Sequence, residues 1–429
     1  MPPVASNLQI TTSYRWAVNA RGENPLMAEP ENGSSPRLPS SWPGSVTGGW
    51  RAGRKAGPPG RCALAARLVC CQAREVADSS RIAVLGAGAM GTALAVHTAR
   101  NGASSVLLAT EQDEAVVDAW RRGLPHPALR MPFHDYVRCH PAGEWAEALS
   151  GAAVVFVAVS SAGLAQVLSQ AAGFAAPGAV WVLATKGWDL DTLLAPSQVA
   201  AATLGTVPVV SLVGPALAAE LFAGSPTGLL CASHDQQARR CAAAALASAT
   251  TAVFTTSDVA GSETAAAFKN VVAVAVGLAE GLSDRLVESA LVASYANARA
   301  AVFARGMLDM MALAEAQGGH TPTVLGLAGA GDLYVTCQHG RNGRFGRLLG
   351  SGATVEGAIH SIGSSVEGVP NTKAALRLAE RAGLDLPTAR GVELALTQDL
   401  TSQRVSDQLR ELFLTVVTGS RPFGNSATG

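Results

Sequence analysis

Two lysines far apart in the chain sit where a charge needs a reason. Lys269 stands with Asn270 in AAAFKNVVAVAVGLAEGL (265–282), an otherwise apolar helical run. Lysine is seldom fully buried, and burying it without a partner is costly. Lys186 follows the apolar stretch VWVLAT, at the carboxyl end of a candidate strand, where open α/β sheets bind ligands. If the two converged on one cleft, mutual repulsion and desolvation would lower their pKa values. Such amines can donate a proton to a carbonyl oxygen or clamp an anion. Taken singly, each also reads as a surface charge. Lys269 is placed in the opening turn of its helix.

A second cluster lies in GLAGAGDLYVTCQHGRNGRFG (326–346). Its glycines at 326, 329 and 331 are expected to hold no regular element. Asp332 and Thr336 are four apart and share a face if helical. Asp332 reads equally well as a helix N-cap. Arg341 and Asn342 follow in a glycine-flanked loop, and a guanidinium fork beside an amide suits a phosphate. Glu367 and Gly368, in SSVEGVPNTKAAL, stand just before a helix and say little alone.

The third cluster is Gly86, Gly88, Ala89, Met90 and Gly91 in RIAVLGAGAMGTALAVHTAR. The spacing is GxGxxG, after a strand and opening a helix. The first glycine permits a tight turn, the second a close approach to a pyrophosphate, the third close helix–strand packing. Free N–H groups at the helix start favour the anion. The next strand ends LLATEQD, which puts Glu111 20 residues after Gly91, where an acid would accept from ribose hydroxyls and repel a 2′-phosphate. That favours NAD over NADP. Glu111 also reads as a solvated loop acid.

The elements that must position these residues follow a clear order. Strand candidates lie at 82–85, 106–109, 153–159, 179–185, 207–213 and 227–232, with helical patterns between several. That alternation predicts a doubly wound, mostly parallel sheet. Beyond about residue 257 the strand signal fades, and helices are expected over 263–314, 353–360, 371–383, 388–397 and 403–416. The expected division is a leading segment (1–79), an α/β dinucleotide-binding domain of Rossmann type (80–260) and an all-α domain (261–420).

The leading segment differs from the rest. Residues 1–70 hold eight Lys/Arg against three acids and are rich in Pro, Gly and Ser. Such a stretch buries too little apolar surface to offset its ordering entropy. Its basic, acid-poor character suits an organelle transit peptide, a plain disordered tail being the alternative. No early apolar core favours a secretory signal. Over the whole 429 residues, 32 basic side chains balance 32 acidic ones, which gives no field for nucleic acid. No apolar run of membrane-spanning length is free of charge, so no span is expected. The seven cysteines lack CxxC or other ligand spacing, so free thiols and no metal are expected.

Taken together, GAGAMGTALA, ATKG, GPALAAE, ETAAAFKNVVAVAVGLAEGL, GLAGAGDLYVTC, GRNGRFG and VEGVPNTKAA, in this order, resemble the NAD-dependent glycerol-3-phosphate dehydrogenases over about residues 81–415. The resemblance implies a Rossmann domain followed by a helical one, with NADH reversibly reducing dihydroxyacetone phosphate to sn-glycerol 3-phosphate. Lys269 matches the family's catalytic lysine and Lys186 its second active-site lysine. Asp332 and Thr336 match the acid and hydroxyl that order the site. Arg341 and Asn342 match the pair that grips the substrate phosphate, with Asn270 beside them. Glu367, with Lys186 and Arg341, falls near the cofactor. A homodimer, a plastid more than a mitochondrial location, and supply of glycerolipid synthesis are also implied.

The chain departs from the family in three places. Ala216 stands where serine is common. The stretch around 283–297 is about ten residues longer than usual. CQHGRN is shorter than the bacterial and plastid form and looks like the cytosolic eukaryotic one. Two rivals are separable. A related reductase of another hydroxy acid would not need Arg341 or a substrate phosphate. A non-catalytic dinucleotide sensor would bind NADH without turnover.

Overall fold

The computed structural model describes residues 81–286, 296–397 and 414–417. The leading segment (1–79), most of the longer stretch near 283–297 and most of the expected helix at 403–416 lie outside the described residues. Eight strands form one sheet: β1 (Arg81–Leu85), β2 (Ser104–Leu108), β3 (Arg138–His140), β4 (Val154–Val157), β5 (Val180–Leu183), β6 (Val209–Val213), β7 (Thr227–Ala232) and β8 (Thr251–Thr256). The order is β3-β2-β1-β4-β5-β6-β7-β8. Neighbours run parallel except β6 and β7, which pair antiparallel. β1 lies between β2 and β4, so the direction of winding reverses there. Ligands bind outside the strand ends at such a switch point.

The short apolar runs become central strands because both faces are covered. Ile82, Val84 and Phe156 pack into one core, while Ala83, Leu85, Val155 and Trp181 pack into another across the sheet. Alternate residues point to opposite faces, so a strand buried on both sides must be apolar throughout. β3 and β8 were not expected. β3 has three residues, too few to show a period. TAVFTT in β8 leaves Phe254 exposed, so its pattern lacks a buried face.

After β8 the described chain is helical. The glycine turn opens helix α1 (Ala89–Arg100) within the sheet region, and the long helix α2 (Val259–Leu286) comes directly after β8. α2 is the centre of a third core, with Phe268, Val271, Val272, Val274 and Leu278 buried among Met310, Leu313, Phe345 and Leu378. Over Val259–Asp284 it is long and apolar enough to cross a membrane, but 89% of that window is buried within the protein. The apolar composition therefore serves a core.

Two contacts fix α2. At its start the carboxylate of Glu263 accepts from Ser197 N (2.8 Å), Ser197 Oγ (2.7 Å) and, from β6, Ser211 Oγ (2.6 Å). Burial pushes that carboxyl above its usual range, against the pull of these donors. Further along, α2 crosses α4 (Arg341–Gly350), the helix that follows α3 (Asp332–His339). A Cβ at Gly277 or Gly281 would collide with Gly343 O or Arg347 O, and one at Gly346 with Val274 O. The backbones touch because no side chain separates them, a geometry that favours Cα–H···O contacts. Gly346→Ala is expected to overpack this crossing by about 1–3 kcal/mol. A thermal melt should show unfolding several degrees lower, and an unchanged midpoint would refute the close-approach argument.

Candidate active site

The glycine turn joins β1 to α1 beneath an open cleft of about 460 Å³. Gly86 adopts φ +97°, which disfavours a side chain. A Cβ at Gly91 would strike the Gly86 carbonyl, so the third glycine lets the helix close onto the turn. Nothing stands within 4 Å of a Cβ built on Gly88, so the second glycine opens onto the cleft. The residues fit a dinucleotide: a bare backbone turn, a helix N-terminus behind it, and a cleft walled by Glu111, Gln112 and Ser160. Ala89 opens α1, and Met90 lines a smaller apolar hollow shared with Lys186 and Ala216. Glu111 lies on the cleft wall, exposed, at the start of a 3₁₀ turn (Glu111–Asp113). Asp113, not singled out in the sequence, is the acid tied to the glycine turn. Its Oδ2 accepts from Ala87 N (2.9 Å), Thr110 N (2.8 Å) and Thr110 Oγ1 (2.7 Å).

The two lysines do converge, on a shared carboxylate. Lys269 Nζ donates to Asp332 Oδ1 at 2.7 Å and to Thr336 Oγ1 at 2.8 Å. Lys186 Nζ donates to Asp332 Oδ2 at 2.7 Å. Lys269 is buried with 5% of its surface exposed, which excludes the surface-charge reading for it, while Lys186 is half-buried. Lys269 lies about three turns into α2, because the helix starts at Val259 and not near Glu263. Burial lowers its pKa to about 8, with Lys186 adding to the fall and Asp332 opposing it. Burial would raise the Asp332 carboxyl, but Lys186 and Lys269 outweigh it and hold the group below its usual value.

Asp332 is no cap. Gly331 occupies that position, and Asp332 is the first residue of α3. Thr336 Oγ1 donates to Asp332 O (2.7 Å) one turn back, which orients its lone pairs toward Lys269. The preceding glycines were expected to be irregular, yet Leu327–Gly331 form a π-helical turn in which Gly331 N donates to Gly326 O (3.1 Å). A side chain at Gly329 would collide with Val324 O, so glycine allows the wide turn to close. π-turns of this kind often mark functional sites.

A chain of amides borders the lysines. Asn342 Nδ2 donates to Asn270 Oδ1 (2.8 Å), and Asn270 Nδ2 donates to Glu367 Oε2 (3.2 Å). Gly368 N, at the start of α5 (Gly368–Ala382), donates to Asn342 Oδ1 (2.9 Å). Asn342 thus turns inward and fixes Asn270. Burial raises the Glu367 carboxyl, while Arg341, Lys186 and Lys269 pull it down. Arg341 and Asn342 open α4 directly and form no loop, because Gly340 caps that helix. Arg341 is exposed, with no ion pair or hydrogen bond among the described residues, and its charge is felt by Glu367.

The arrangement supplies a lowered-pKa amine, a second cation beside it, an anchoring anion and a guanidinium at a helix start. That set suits donation of a proton to an oxygen on an anionic substrate held next to a dinucleotide. Two family models match the chain. One, described as the NAD-dependent glycerol-3-phosphate dehydrogenase N-terminus, covers residues 81–239, and the C-terminus covers 258–407. A glycerol-3-phosphate dehydrogenase [NAD(P)+] of Aeromonas salmonicida is 36% identical over 334 residues, 75% of this chain and 94% of that protein. One from Shewanella halifaxensis is 36% identical over 326 residues, 73% and 91%. The crystal structure of glycerol-3-phosphate dehydrogenase from Coxiella burnetii superposes with a TM-score of 0.69 at 31% identity, over 78% of this chain and 99% of that one.

Proposed function

The chain belongs to the NAD-dependent glycerol-3-phosphate dehydrogenase family, and from that premise we propose that it reduces dihydroxyacetone phosphate to sn-glycerol 3-phosphate as a supply for glycerolipid synthesis. The observation that carries the reading is the Lys269–Asp332–Lys186 bridge beside an open dinucleotide turn. NAD(H), when bound, supplies and receives the hydride. Gly86, Gly88, Ala89, Met90 and Gly91 would hold its phosphates, and Glu111 would accept from its ribose hydroxyls and disfavour a 2′-phosphate. Glu367 would border its nicotinamide end.

Lys269 Nζ gives its proton to the substrate's C2 oxygen as negative charge develops there, and Lys186 places a second positive charge alongside. Asp332 and Thr336 aim the Lys269 amine. Arg341 holds the substrate phosphate, assisted by Asn270 and by Asn342, which fixes Asn270 from behind. In glycerol phosphate oxidation the same amine, neutral, takes the proton back. We place the division between dinucleotide and substrate parts near residue 260 and expect a homodimer. The basic, acid-poor first 79 residues support delivery to a plastid.

The test follows NADH oxidation by the full chain with dihydroxyacetone phosphate and with unphosphorylated dihydroxyacetone. Turnover is expected with the phosphate only. Arg341→Ala should raise KM for the phosphate about 10- to 100-fold with a small change in kcat. Equal turnover of both substrates would move the assignment to a reductase of unphosphorylated compounds.

A further inference from the structure

The glycine turn carries one residue whose two backbone polar groups, on successive peptides, are both taken by side chains from other segments. Ala87 is fully buried between Gly86 and Gly88. Its N–H donates to Asp113 Oδ2 (2.9 Å), from the turn after β2. Its carbonyl accepts from Thr92 Oγ1 of α1 (3.2 Å) and from His126 Nε2 (3.1 Å), which lies 39 residues on. The His126 tautomer is fixed by its own loop. Nδ1 lies 3.1 Å from Ala128 N and 3.2 Å from Leu129 N, and both are donors. Nδ1 therefore carries no proton, and Nε2 carries the one given to Ala87. Burial lowers the His126 pKa, in keeping with a neutral ring. The loop closes on itself as well, with His126 N donating to Met131 O (2.9 Å).

We infer that His126 is a positioning residue for the dinucleotide: it holds the Ala87 carbonyl while Asp113 holds the Ala87 N–H, and the two so set the glycine turn on which the cofactor phosphates rest. This rests on the reading that the cleft over Gly88 holds NAD(H). A turn of bare glycines has more freedom than any other backbone, so an outside restraint is needed to keep its N–H groups aimed. His126 supplies that restraint without facing the ligand itself.

Two variants separate the ring's two bonds. In His126→Asn the amide oxygen can replace Nδ1 as acceptor for Ala128 and Leu129, but the side chain is too short to reach Ala87. In His126→Gln the longer amide can reach the Ala87 carbonyl but leaves the loop uncapped. The Kd for NADH is read from its fluorescence on binding, beside the thermal midpoint of the ligand-free protein and the KM for dihydroxyacetone phosphate. His126→Asn should weaken NADH about tenfold, the worth of one hydrogen bond, with near-normal midpoint and substrate KM. His126→Gln should bind NADH within about twofold of the parent while melting lower. An unchanged Kd in His126→Asn, or a Kd that tracks the melting point across both variants, would overturn the inference. Failure of the parent protein to bind NADH would overturn the dinucleotide reading and this inference with it.

Discussion

Lys269→Met is expected to lower kcat by about 10²- to 10⁴-fold in both directions, the range a positioned proton donor supplies. Methionine keeps the length and apolar stem of lysine, so the buried position stays filled, and Asp332 keeps Lys186 as partner. NADH affinity should change little, because the Lys269 amine bonds Asp332 and Thr336, outside the glycine turn. The parent enzyme should also show a signature that the variant lacks. With an amine pKa near 8, reduction requires the protonated form and should decline as pH rises through about that value. Oxidation requires the neutral form and should rise over the same interval. Both limbs should flatten in Lys269→Met. A kcat within tenfold of the parent, or an unaltered pH profile, would remove Lys269 from the proton path.

Asp332→Asn is expected to cost both activity and stability. Among the described residues the carboxylate is the only anion bonded to both lysines, and removing one partner of a buried ion pair typically costs about 3–5 kcal/mol. Here the penalty has a built-in relief, since Lys269 can lose its proton. Its pKa is already depressed by burial, and loss of the Asp332 charge lowers it further. The folded state then binds fewer protons than the unfolded one, so the variant's stability should rise as pH climbs from about 7 to about 9. Its reduction limb should move to lower pH than in the parent. Adding Lys269→Met to Asp332→Asn should recover melting temperature without recovering turnover. A variant that melts like the parent at neutral pH would show that the bridge contributes no net stability.

Much of this was legible because the chemistry forced unusual residues into plain surroundings. A lysine inside AAAFKNVVAVAVGLAEGL has no packing reason to exist, and a GxGxxG between an apolar tetrad and a helix has few alternatives. What stayed hidden depends on contacts between distant segments. β7 runs antiparallel to β6, and nothing within TGLLCA records its partner's direction. The π-turn before Asp332 looked like loose glycine sequence because its hydrogen bonds span five residues and its tightness lies against Val324. His126 and Asp113 were missed for the same reason. The one available signal for Asp113 was its place two residues after Glu111, on the same turn. His126 sits in a Pro-rich connection with no pattern that points 39 residues back.

The two anchorages of α2 bear on how the enzyme would spend its cycle. Glu263 fastens its first turns to the sheet, and the side-chain-free crossing fastens its later turns to α4. One rod thus spans from the strand ends to the helix that carries Arg341, with Lys269 between them. A large swing of one half against the other would have to break three hydrogen bonds to a buried carboxylate. The reacting groups therefore stand in register before substrate arrives, and catalytic geometry costs little reorganisation at the moment of reaction. Shielding from water would then fall to small local movements, such as the exposed Gly363–Ser365 bend that reaches the cleft edge. For such an enzyme, solvent viscosity should slow turnover through release of products and loop opening, with the hydride step left unaffected.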